Sequence, residues 1–234
     1  MNDSDGNHIL EWFIELEERL VGLMQYVPYD SETEDVPLPR ASGIILEAGS
    51  LVDTVFRETM VSDKDRGELS MRDFRPYFEE KLNLSNLRSV LFQWPPRYVT
   101  PFAAWTASAD ETSQRLEWWD AYTDMKHSRV GSLPYATLGN AVETLCALHQ
   151  VMSQSSFFWQ PLLRKDMLTS FNLRIANFVN DLQMGSCTHT VTVESGLFCT
   201  TLGARRFPEK ISELRGDAFM HLAGRRLQRF FGLW

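Results

Sequence analysis

Residues 118–129 read Trp118-Trp119-Asp120-Ala121-Tyr122-Thr123-Asp124-Met125-Lys126-His127-Ser128-Arg129. At about 100° per residue, Trp118, Tyr122, Met125 and Arg129 share one face of a helix, with Trp119 and Lys126 at its edge. His127 falls roughly opposite, beside Asp120, Thr123 and Asp124. Side chains this large and apolar belong in a packed interior, so the segment demands other elements to cover it. Lys126 and Arg129 then lie where a helix C-terminus favours cations.

The covering elements are legible as helices. His8 to Val27 places apolar residues at the spacing of an amphipathic helix, and Ala41 to Val61 repeats the pattern with Ile44, Ile45, Ala48, Leu51, Val52 and Val55 inward. Between them Pro28 to Arg40 holds three prolines and four acids, which reads as a solvated loop. Ser70-x-x-Asp73 opens a short third helix carrying Phe74, Tyr77, Phe78 and Leu82. Ser89 to Trp94 looks extended, and Pro95, Pro96 and Pro101 then forbid a long helix. The aromatics of this loop (Trp94, Tyr98, Phe102 and Trp105) are expected to pack over the helices.

Asp110 or Thr112 should cap the helix that reaches Arg129. Gly131-Ser132-Leu133-Pro134 supplies a stop, a cap and a first-turn proline for a fifth helix that buries Leu138, Ala141, Leu145 and Leu148. Met167 to Asp181 reads as weakly patterned helix. Thr188 to Val193 alternates and is β-branched, so it should pair with Leu197 to Thr201 across Glu194-Ser195-Gly196. Ile211 to Leu233 returns to helical spacing. The organisation expected is a bundle over 1–155 and a C-terminal extension over 156–234, made of a helix, a β-hairpin and a basic amphipathic helix, packed on the bundle.

Composition bounds the functional classes. With 44% hydrophobic and 23% charged residues the chain is an ordinary globule, and no apolar run approaches the ~18 residues of a membrane span. The first residues lack a signal peptide's basic flank and apolar core, so a cytoplasmic protein without membrane contact is expected. Three cysteines fit a reducing compartment. Cys146 sits in an apolar helical run and reads as core, and Cys187 and Cys199 read as free thiols. Cys187, His189 and Cys199 match no common zinc spacing, so no metal and no cofactor is expected. The net charge of −8 is uneven: residues 1–60 carry thirteen acids and three bases, residues 205–234 seven bases and three acids. The basic end either neutralises the acidic one or attracts an anionic partner.

Phe74 to Met152 resembles an uncharacterised bacterial family close to the HEPN superfamily. The resemblance is carried by Trp94-Pro95, by Pro101-Phe102, and by Trp118-Trp119-x-Ala121-Tyr122 followed by Lys126-His127-x-Arg129. Ala136-Thr137-Leu138-x-Asn140-Ala141 completes it. Thr123 stands where the family normally has asparagine. The resemblance implies a mainly α fold, a HEPN-like helical bundle, here with a small β-hairpin in the C-terminal extension. It also implies a homodimer, the commonest oligomer in any case. Many such proteins are RNA-cleaving toxins or antiviral defence effectors, and others are inactive partners.

HEPN ribonucleases place an arginine four to six residues before a histidine on one helix. Around His127 that spacing is missing, because Arg115 lies twelve positions back. Arg215 to His221 does carry an Arg-x5-His pattern, with glycine at a position usually polar, and is the rival site. Metal-independent cleavage asks for a base near the 2′-hydroxyl and cations on the phosphate. His127 supplies the base and Lys126 and Arg129 the cations, although the three do not share one helix face. Trp119, Tyr122, Arg225 and Arg226 are the candidate binding residues. The bland alternative is that Trp118, Tyr122 and Met125 are core while Lys126, His127 and Arg129 close a helix end. The functional expectation is a defence or toxin-antitoxin protein contacting RNA or nucleotide, with a protein partner encoded nearby. The alternative is a non-enzymatic interaction module.

Overall fold

The computed structural model describes residues 3–93, 95–106, 114–170 and 191–202. The protein is mainly helical with a small antiparallel sheet. Its helices are α1 (Asp3–Met24), α2 (Ala41–Thr59), α3 (Met71–Leu82), α4 (Glu117–His127), α5 (Leu138–Gln154) and α6 (Trp159–Arg164). Its strands are β1 (Ser89–Leu91), β2 (Arg97–Val99), β3 (Leu168–Ser170), β4 (Val191–Glu194) and β5 (Phe198–Leu202). Among the described residues no helix is long and apolar enough to cross a membrane.

Helix α2 is the hub, packing against α1, α4 and α5. The residues that periodicity directs inward (Ile44, Ile45, Ala48, Leu51, Val52 and Val55) are all buried. At about 1.5–3 kcal/mol for each fully buried aliphatic side chain, this stripe is a principal source of the bundle's stability. Gly49 sets the separation of α2 from α4, because a Cβ there would lie 2.5 Å from the ring of Tyr122. Helix α5 buries Leu138, Ala141, Leu145 and Leu148 as expected, and also Cys146, His149, Gln150 and Ser153. Two partners explain that: α1, α2 and α4 cover one side of α5, and β2 and β5 lie against it as well.

Local chemistry accounts for several helix boundaries. Ser70 and Asp73 form the reciprocal capping box at the start of α3, where Pro76 sits within the helix. Asn83 ends that helix in the left-handed region, at φ 50°. The start of α5 differs from expectation. Pro134 falls in a 3₁₀ turn over Leu133–Tyr135, and Thr137 is the cap, accepting from the Asn140 amide at 3.1 Å. Helix α4 begins at Glu117 after Leu116, later than the expected caps at Asp110 and Thr112, which lie outside the described residues.

The sheet runs β2-β1-β5-β4-β3, with every neighbour antiparallel. The expected hairpin is its β4–β5 part, pairing Val193 with Thr200 and Glu194 with Cys199. Beyond the hairpin, β5 joins edge to edge with β1, Ser89 opposite Thr200. Residues 89–91 of the expected extended segment thereby become an interior strand, and Arg97–Val99 of the proline-rich loop become β2. Residues 168–170, read from sequence as helix, form β3 instead. Leu168 pairs with Val193, and sheet pairing overrides a weak helical pattern. Glu17 of α1, 5% exposed, ties the hairpin turn down. Its carboxylate accepts from the amides of Gly196 and Leu197, each at 2.8 Å, and from the Ser195 hydroxyl.

Candidate anion-binding cleft

The aromatic string of α4 is interior. Trp118 is fully buried, its indole N–H donates to the Pro101 carbonyl at 2.8 Å, and its ring meets Phe102 edge-on at 5.6 Å. Trp119 and Tyr122, expected among the binding residues, are 9% and 2% exposed and pack on each other at 5.1 Å. Both present their rings to the bundle, so packing is their role. A helix face that reads as aromatic and cationic is divided by depth: rings inside, charges at the rim.

The cationic end of α4 divides as well. The Lys126 ammonium donates to the Tyr122 hydroxyl at 3.3 Å and lies 3.7 Å from a carboxylate oxygen of Asp53. The other oxygen of Asp53 accepts from Arg57 at 2.8 Å. Asp53 is only 8% exposed, so Lys126 and Arg57 together supply the countercharge its burial requires. Lys126 thus joins α4 to α2. His127 is exposed at the last residue of α4, and Arg129 lies just beyond it.

Arg129 reaches a different neighbourhood from Lys126. It lines a cleft of about 470 Å³ together with Arg19, Gly22, Leu23, Tyr26 and the chain around the start of α2. Three arginines meet there from separate places: Arg19 from α1, Arg40 from the residue preceding α2, and Arg129 from the segment after α4. The lining contains no carboxylate. The first turn of α2 adds the positive end of a helix macrodipole and carries no acidic residue. Arg19 is held at 2.8 Å by Glu47, whose second oxygen receives the Trp12 indole N–H at 3.0 Å. Partial burial works to raise Glu47. The bonds from Arg19 and Trp12 and the charges of Arg19 and Arg129 outweigh it and hold the carboxyl below its usual range. Tyr26, 81% exposed, stands at the rim.

A larger cleft of about 680 Å³ lies beside α3. Arg72, Arg75, Glu79 and Glu80, all from α3, line it together, so its charges balance, and Glu79 is already engaged by Ser85. It offers a ligand less net attraction than the arginine cleft.

Sequence reasoning missed the cleft because its members are scattered over 110 positions of chain, from 19 to 129. It also missed the way the connection from α1 to α2 is tied down. The 28–40 stretch, read as a solvated loop, is largely exposed yet anchored. Leu38 N–H donates to the Ala136 carbonyl at 2.7 Å, and Gly139 N–H to the Glu34 carbonyl at 2.8 Å. Arg97 bonds the Glu34 carboxylate at 3.1 Å, with its guanidinium 4.9 Å from the Tyr29 ring centre. Glu143 of α5 lies within the field of this group. Burial first, then the charges of Glu117 and Glu34, push its pKa up to about 7. Burial likewise raises Tyr29 to about 12, with Glu143 adding to the effect and Arg97 opposing it.

Behind α5 runs a buried polar seam. Thr200 Oγ1 lies 3.0 Å from His149 Nδ1 and 2.6 Å from Ser89 Oγ, and Gln150 donates to Ser89 at 2.9 Å. Desolvation lowers His149 to about 3, so the ring is neutral at physiological pH and serves as a hydrogen-bonding strut between α5 and the sheet. Cys146 is a buried free thiol, and Cys199 is buried in β5. Arg215, His221, Arg225, Arg226, Cys187 and His189 lie outside the described residues. No family model, curated protein or solved structure matches this chain, and the functional reading therefore rests on the geometry of the arginine cleft.

Proposed function

We propose that the protein contacts RNA or nucleotide through the arginine cleft, as a HEPN-like defence or toxin-antitoxin protein of the kind its α4 string resembles. The observation that carries the contact is the convergence of Arg19, Arg40 and Arg129 on a cleft without a lining carboxylate, in a chain of net charge −8. Local concentration of cations against the overall charge favours a specific anion over general attraction to polyanions. Guanidinium groups suit phosphate because they offer forked donors at fixed charge. An exposed tyrosine at the rim offers a face on which a base can stack.

Titration of single-stranded RNA into the purified protein tests the reading. Three phosphate contacts give a slope of about −2 in log K against log salt, from about −0.7 per contact on single strands. Arg40→Glu and Arg129→Glu should each weaken binding and flatten that slope, with the helical signal unchanged. Affinity that ignores both substitutions removes the cleft from the account and favours the interaction-module alternative. Cleavage is the stronger form of this reading. It assigns the base to His127, exposed two positions before Arg129.

A further inference from the structure

We infer that the cleft is built for a terminal phosphate monoester, on a nucleotide or on the end of a nucleic-acid strand, in preference to the diester links within a strand. The inference rests on the nucleic-acid reading above and narrows its ligand. Charge is the first argument. Arg19, Arg40 and Arg129 bring three positive charges, and Glu47, bonded to Arg19, answers one, which leaves two. A diester carries one negative charge, whereas a monoester carries about −1.5 to −2 at pH 7 and presents three strong acceptor oxygens. Neither Arg40 nor Arg129 forms an ion pair with a described residue, so both are available to those oxygens.

Preorganisation is the second argument. Glu47 is gripped on both oxygens, by Trp12 and by Arg19 Nη1, which fixes the direction of the guanidinium. The remaining terminal nitrogen of Arg19 lies over the first turn of α2, in space that Gly43 leaves open. A Cβ at residue 43 would stand 2.7 Å from Arg19 Nη2. Glu47 and Gly43 are thus positioning residues, one holding the arginine and the other admitting it. The volume, about 470 Å³, suits a group the size of a nucleotide, and Tyr26 stands where an attached base would leave the cleft.

The test compares one short single-stranded RNA in three forms (5′-phosphorylated, 3′-phosphorylated and with hydroxyls at both ends) by fluorescence anisotropy on the full chain. At least one phosphorylated form should bind roughly tenfold or more tightly than the hydroxyl form, the scale of one added charge-assisted hydrogen bond. AMP as a competitor separates the sources. Displacement of the phosphorylated strand assigns the monoester to a single nucleotide, and resistance assigns it to the strand end. Gly43→Ala should fold, since alanine favours a helix and the clash falls on the tip of a flexible side chain. It should lose most of the preference while keeping residual binding to the hydroxyl strand. Equal affinity for all three strands, with equal salt slopes, overturns the monoester and leaves RNA contact standing. No binding of any strand at low salt, with no binding of AMP by calorimetry, overturns both. A full preference retained in Gly43→Ala overturns the assignment of Arg19.

Discussion

Trp118 shows how much a single side chain can carry. It fills space between α4 and the aromatic turn at 102–105, and its N–H satisfies a buried carbonyl, so truncation opens a cavity and orphans an acceptor together. Trp118→Ala should cost about 3–5 kcal/mol in a denaturant melt. Lys126→Ala should cost under about 1 kcal/mol, because the lysine side chain is 52% exposed and Asp53 keeps Arg57. A Trp118→Ala protein as stable as wild type would contradict the packing described here. If the protein cleaves RNA, His127→Ala should lower the metal-independent rate by about 10²–10⁴-fold at unchanged stability. His221→Ala is the necessary companion, and a loss confined to that variant would move the site to the Arg215–His221 pattern.

Among the elements, the connection from α1 to α2 is the one whose behaviour should depend most on pH. It links Tyr26 to Arg40, both on the cleft, and is held against α5 and β2 by Glu34 and Arg97. Glu143 faces it from α5 with a pKa raised from 4.5 to about 7. A carboxyl with a raised folded-state pKa holds its proton more tightly folded than unfolded. Its stabilising effect is therefore full below about pH 4.5 and declines as pH rises to about 7, by at most about 3 kcal/mol at 1.36 kcal/mol per unit. Water reaching this partly exposed group lowers that ceiling. Glu143→Gln should remove the decline, making the variant more stable than wild type at pH 8 and near equal at pH 4.5. Thermal melts across that range decide it, and parallel pH profiles for the two proteins would show that Glu143 is well solvated.

For the whole molecule the question is which basic surface meets an anion, the cleft or the arginine-rich end at 205–234. Charge reversal separates them. If the cleft dominates, Arg129→Glu should reduce the salt slope of RNA binding by about 0.7 or more, and Arg225→Glu with Arg226→Glu should change it little. The reverse result assigns binding to the C-terminal segment. What the chain determined locally is the set of helices. The periodic apolar positions of α2 and α5, the Ser70–Asp73 capping box and the alternation around the β4–β5 turn all read directly, because each depends on neighbours within a turn or a pair of strands. Cys146 read as core for the same reason. Tertiary structure decided what depends on distant partners. It made 168–170 a strand, joined β5 to β1, turned the 28–40 stretch into an anchored strap, sent Trp119 inward, and separated Lys126 from Arg129. Three arginines far apart in sequence could become one cleft only once α1, α2 and α4 had packed, because mutual repulsion and proximity are properties of positions in space and leave no periodic mark along the chain.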